Sequence, residues 1–183
     1  MICDPKNLNR SARSLPMLKI RAGHEAEIQI CSQSVLWLKT HWLGRQLICP
    51  GPACPMCGGA EGRAHGYVTV ILRTGQRPRP YLLEVSPPSW ERLISLAKME
   101  QLEVGTGLIC TASRRKPKSP LTIEPFGRSE NIPTAEASIR RTLDAVSILY
   151  GLPVMRPAET QEQWAARSIP LACSMIGQAI AQS

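Results

Sequence analysis

The chain has 183 residues, 43% of them hydrophobic and 20% charged, and carries no apolar run long enough to cross a bilayer. With 22 Lys+Arg against 14 Asp+Glu its formal net charge is +8 and its pI about 9.4, which suits a polyanionic partner. The first residues lack the apolar core of a signal peptide, so the reading is a cytoplasmic protein with reduced thiols, in which clustered cysteines point to metal or catalysis.

Residues 1–23 are basic (Lys6, Arg10, Arg13, Lys19 and Arg21 against Asp4) and read as a flexible arm for phosphate or a neighbouring subunit. From Glu25 the pattern turns to strand: polar and apolar residues alternate over Glu25–Cys31, and Val35–Lys39 follows after a short break. Beyond a cysteine-bearing insert at 41–66, Tyr67–Arg73 and Tyr81–Val85 read as a hairpin around Thr74–Pro78. Ser86 followed by Pro87 is a helix start. Trp90, Leu93, Ile94 and Ala97 recur at helical spacing, and Gly105 is the expected stop. Leu108–Ser113 and Leu121–Glu124 are two more strands, joined by Arg114-Arg115-Lys116-Pro117-Lys118.

The remainder reads as helix. Thr134 can cap a helix with Ile139, Leu143, Val146 and Leu149 on one stripe, closed by Gly151. Thr160 with Gln163 forms a capping box for a last helix, kinked at Pro170 and burying Leu171, Met175, Ile176 and Ile180. The fold class is thus mainly β with α. The expected organisation is a basic arm (1–23), an OB-fold-like five-stranded barrel at 24–131 with a zinc-binding insert, and a helical extension at 132–183.

The insert carries the clearest chemistry. Cys49, Cys54 and Cys57 fall within nine positions among prolines and glycines, and Cys54-Pro-Met-Cys57 has the spacing at which two thiolates hold one tetrahedral ion. The fourth ligand is His41, which follows a strand directly, or alternatively His65. Three thiolates and one imidazole fill the tetrahedron, which describes one structural Zn2+ that folds a loop poor in apolar residues. Zinc deaminases also use Cys-x-x-Cys, but their His-x-Glu is missing: Trp42 and Leu43 follow His41, and Ala53 precedes Cys54. No phosphate loop or nucleophile elbow is present, and the protein reads as non-enzymatic.

The second site is cationic. Arg114, Arg115, Lys116 and Lys118 join the last two strands, and Arg73, Arg77 and Arg79 edge the earlier hairpin; together they describe a phosphate-tracking groove. Trp37 shares a strand face with Lys39, and Tyr67 shares one with Arg73, so both rings are candidate stacking platforms, although each residue type is more often core. Trp90 and Trp164 read as packing.

The ligand order His41, Cys49, Cys54, Cys57 inside an OB-like strand pattern resembles the zinc-containing single-stranded DNA-binding proteins of T-even-type phages. Arg10-Ser11-Ala12-Arg13-Ser14 is similar in kind to that family's basic arm for self-association. The resemblance implies a non-catalytic protein binding single-stranded nucleic acid, most of all DNA, in replication or recombination of a phage or mobile element. Self-association or a protein partner would use the arm or the C-terminal helices, and no membrane is involved. The departures are shorter ligand spacings, few aromatics and no acidic C-terminal tail. The alternative is a zinc-stabilised protein–protein adaptor within a nucleoprotein complex, with the C-terminal helices as its working surface.

Overall fold

In the computed structural model, described over residues 15–58, 62–74, 78–130 and 139–182, seven strands form one antiparallel sheet flanked by three helices. The strands are β1 (Glu25–Ile30), β2 (Leu36–Leu43), β3 (Arg45–Ile48), β4 (Arg63–Leu72), β5 (Arg79–Val85), β6 (Leu108–Ser113) and β7 (Thr122–Arg128). The helices are α1 (Pro87–Met99), α2 (Ile139–Tyr150) and α3 (Gln161–Ala181).

β4 is the spine. One edge of it pairs with β2 through Arg63–Tyr67 and then with β1 through Val70–Leu72, while the other edge pairs with β5 from Gly66 to Leu72. β1 continues to β6, and β6 to β7 with a register shift at Ile109/Cys110. The strands β5-β4-β1-β6-β7 therefore form a continuous run to which β2 and β3 are added. Among the described residues no ladder joins β5 to β7, so the sheet stays open. The expected count of five strands is corrected to seven, because His41 lies inside a strand and the chain returns from it through Gly44 (φ +66°) as β3. Glycine suits that turn because its backbone is left-handed.

β4 buries both faces, which explains its near-continuous apolar run. Val68 and Val70 join Ile28, Ile30, Leu83, Val85, Leu93, Leu108 and Ile123 in the main core, with α1 packed over it. On the opposite face Tyr67 joins Leu82, Leu143, Val146, Tyr150 and Trp164 in a second core formed with α2 and α3. Two buried polar pairs cross it: the Tyr67 and Tyr150 hydroxyls lie 2.5 Å apart, and Thr69 meets Thr142 at 2.8 Å. The helical region is thus part of the fold, packed on the sheet through Tyr67 and Leu82.

The free edge of β5 is covered by the residues before β1. Met17 bridges Leu82 in parallel, Leu18 N–H donates to the Leu82 carbonyl, and Leu82 N–H donates to that of Pro16. Leu15 and Ile20 are buried. The expected arm at 1–23 is therefore shortened: from Leu15 the chain packs against the sheet, and Arg10 and Arg13 lie outside the described residues.

Helix termini follow local chemistry. Ser86 caps α1 by accepting from Ser89 N–H, the Thr160–Gln163 capping box is complete, and Gly151 (φ +70°) ends α2. α1 stops at Met99, earlier than Gly105, with Gln101 taking the left-handed turn (φ +56°). α3 runs through Pro170 and buries Trp164, Ser168, Ala172 and Ile176, so Leu171 and Ile180, both 41% exposed, lie off the packed stripe. In α2, Leu143 and Val146 are buried as expected; Leu149 is exposed and Tyr150 takes the inward position.

Candidate metal centre and cationic groove

The three cysteines occupy the loop after β3, which a short 3-10 turn (Gly51–Ala53) folds back toward β2. Cys49 N–H donates to the Lys39 carbonyl, and Cys54 N–H to that of Gly51, so backbone bonds fix the loop independently of any ion. Beneath it, Leu47, Cys54 and Ile176 form a small buried cluster that ties the loop to α3.

His41, Cys49, Cys54 and Cys57 converge, with their ligand atoms all within 4.8 Å of one another, and this set can hold one metal ion. His41 Nε2 lies 3.3 Å from Cys54 Sγ and 3.7 Å from Cys57 Sγ, while Cys49 and Cys57 sulfurs are 3.5 Å apart. Around a tetrahedral ion with zinc-like bond lengths, sulfurs sit about 3.8 Å apart and a sulfur sits about 3.6 Å from an imidazole nitrogen. These three spacings fit to within a few tenths of an ångström. His41 is 3% exposed and its Nδ1 has no hydrogen-bond partner among the described residues, so burial holds the ring in place.

The thiols are unequal. Burial pushes Cys49 up to about 11, whereas Cys57 is lowered, first by its hydrogen bond with Cys49 and also by Lys39, whose ammonium lies 3.6 Å from Cys57 Sγ. Three thiolates around a divalent ion leave one net negative charge, and Lys39 sits where it offsets that charge. Metal uptake must displace the remaining thiol protons.

His65 lies outside this cluster. It sits on β4 with both ring nitrogens engaged: Nδ1–H donates to Glu84 Oε1 at 2.6 Å, and Nε2 accepts from Gln46 Nε2 at 2.8 Å. The strand register separates the two histidines: His41 pairs with Leu47, and His65 pairs with Leu38.

The cationic candidates divide. Arg114, half-buried, and exposed Lys118 line a groove of about 720 Å³ together with Lys19, Arg21 and Arg63. Glu84 is the single acid among the lining residues, and it is engaged by His65. Arg115 and Lys116 are exposed on the same turn, which Ser119 closes by accepting from Lys116 N–H. Arg73 is outside the groove lining and pairs with Glu27 at 2.7 Å. Arg79 opens β5, five residues and about 17 Å from Glu84 at the far end. Arg77 lies outside the described residues.

The aromatic candidates divide too. Tyr67 is fully buried and hydrogen-bonded to Tyr150, which removes it as a stacking platform. Trp37 is 43% exposed and lies over Gly66, where an added Cβ would come within 2.7 Å of its ring. Trp90 is half-buried against the main core and Trp164 is buried, as their helical spacing indicated. Sequence reasoning placed Lys19 and Arg21 in the basic arm and passed over Arg63, which reaches the same groove from β4. It also passed over Trp42, 74% exposed beside the candidate ligand His41.

Comparison with protein-family models, curated proteins and solved structures finds no match. Among the described residues no helix is long and apolar enough to cross a membrane.

Proposed function

We propose that the protein is a non-catalytic single-stranded nucleic-acid-binding protein, with DNA as its ligand, whose binding region is stapled by one structural zinc ion. The observation that carries this reading is the groove in which Lys19, Arg21, Arg63, Arg114 and Lys118 converge around one already-paired acid. Cations spaced along a groove track a phosphate backbone and release its counterions.

The strand run supports the same reading. If β1, β4, β5, β6 and β7 are taken as the five strands of an open OB-fold, the metal-bearing β2–β3 segment is the loop between the first and second. The Arg114–Leu121 turn is then the loop between the fourth and fifth. These are the loops with which OB-folds grip oligonucleotides; the second lines the groove through Arg114 and Lys118, and the first ends at Arg63, where β4 enters it. The outer face of β4 and β5, the other surface such folds use, is covered here by α2 and α3 through Tyr67 and Leu82. Binding would therefore run along the groove.

Zinc suits the ligand set because three thiolates and an imidazole match its preferred donors and leave no open position. Four filled positions and the missing deaminase glutamate make the ion a staple. A phage or mobile-element replication protein is the setting that the ligand order suggests.

The test is titration of labelled single-stranded and duplex DNA across a salt series. Single-strand preference with affinity falling steeply in salt is expected, and replacing Lys19, Arg21, Arg114 and Lys118 together lowers the slope by about 0.7 per lost contact. Undetectable binding at low salt sinks the reading. It would leave a metal-stapled adaptor, which Ile169 and Ile180, both at least 40% exposed and eleven residues apart on one face of α3, favour.

A further inference from the structure

Beside the metal loop lies a second concavity with different chemistry. The register pairs Thr40 with Arg63 and Trp42 with Gln46, and alternation puts Thr40 and Trp42 on one face of β2. With His65 and Met56 they line a cavity of about 610 Å³. It shares Arg63 and His65 with the cationic groove, so the two are contiguous.

A lone exposed indole needs no explanation. Trp42, however, stands over polar groups that are already fixed. Gln46 Nε2 donates to Thr40 Oγ1 at 3.1 Å and to His65 Nε2 at 2.8 Å, and His65 is itself anchored on Glu84 at 2.6 Å. With both amide hydrogens committed, the Gln46 carbonyl oxygen is held as an acceptor. A rigid π-face, an oriented acceptor and a guanidinium are the three elements that a nucleotide requires: a stacking surface, a partner for a base N–H, and a counter-charge for phosphate. The hairpin that carries Trp42 and Gln46 bears two of the candidate ligands, His41 on β2 and Cys49 just after β3, so a bound metal would hold the site in shape.

The geometry points to a nucleobase subsite: one base of the bound strand stacks on Trp42 and donates to Gln46, while its phosphate passes Arg63 into the groove. This rests on the single-strand reading above and adds to it a residue-level site at which the bases, as well as the backbone, are held.

The experiment compares wild-type protein with Trp42→Ala and Trp42→Phe. The probes are a single-stranded DNA oligomer of about 16 nucleotides and an abasic oligomer of the same length. Wild type is expected to prefer the base-bearing strand and to lose indole fluorescence on binding it. Trp42→Ala should bind that strand about 5- to 150-fold more weakly with an unchanged salt slope, the range expected for one lost stack. Trp42→Phe should recover part of the loss, and all three proteins should match on the abasic oligomer. Equal metal content in the variants confirms that the fold survives. If wild type binds with a steep salt slope but Trp42→Ala binds as tightly, the subsite is wrong and the groove stands. If wild type binds neither oligomer at low salt, both are overturned.

Discussion

Replacing each histidine in turn separates the metal ligand from its neighbour. His41 Nε2 lies 3.3 and 3.7 Å from two thiols, whereas both His65 nitrogens are engaged by Glu84 and Gln46. His41→Ala should therefore drop metal content from one ion per chain to well below one, and His65→Ala should leave it at one. Stability gives a second readout. An ion free at about 1,000 times its dissociation constant stabilises the folded state by about 4 kcal/mol. For a chain of this size each kcal/mol moves Tm by about 2–4 °C, so chelation should lower wild-type Tm by about 8–16 °C. His41→Ala should start near the chelated value and respond little to chelator. His65→Ala loses two part-buried hydrogen bonds, about 1–3 kcal/mol, but should retain the full chelation step. Scanning calorimetry with and without chelator, alongside elemental analysis, reads all of this. Full metal in His41→Ala with loss in His65→Ala would refute the ligand assignment.

Gly66→Ala places a Cβ 2.6 Å from Val35 and 2.7 Å from the Trp37 ring, so a loss of about 1–3 kcal/mol in denaturant unfolding and a shifted Trp37 emission are expected. Tyr67→Phe removes one hydroxyl of the buried pair and strands the other, costing about 1–3 kcal/mol; a change within error would show that the pair is not coupled. Ile176→Ala opens the cluster beneath Cys54 and should cost about 2–5 kcal/mol while weakening metal retention, which urea melts and competition with a chelator measure together. The Glu159 carboxyl is held from 4.5 down to about 2, first by its hydrogen bonds from Arg167 and then by Arg156 N–H. A lowered acid stabilises the fold above its unfolded pKa and loses that contribution as pH falls through the folded one. The Tm difference between wild type and Glu159→Gln should thus shrink from pH about 5 toward 2. A difference that is constant over that range would exclude the linkage.

The local grammar was legible in the chain. Three helix ends (Ser86, Gly151 and Thr160), the strands around Tyr67, Tyr81 and Leu108, and the cysteine cluster all rest on short-range rules: a hydroxyl or glycine at a terminus, alternation, a Cys-x-x-Cys. Cys49, Cys54 and Cys57 lie so close in sequence that few backbone paths fail to bring them together. His41 and His65 flank the cluster at comparable distance, and sequence separation alone cannot choose between them. The sheet chooses, because His65 pairs across from Leu38 and is taken by Glu84, a residue brought in by β5.

Burial on both faces of β4 was likewise a tertiary decision. Tyr67 and Arg73 alternate as an exposed face would, but α2 packs over that face and turns Tyr67 into core. The cations told the same story in reverse. Arg73 and Arg79 form an obvious cluster in sequence and stand apart from the groove, while the segment of Lys19 and Arg21, the start of β4 with Arg63 and the turn with Arg114 meet in it. Sequence by itself determined the three cysteines of the candidate metal set and where several elements begin, since both depend on neighbours along the chain. Which surfaces remain open to a partner depended on the packing of distant segments, and only the tertiary structure decided it.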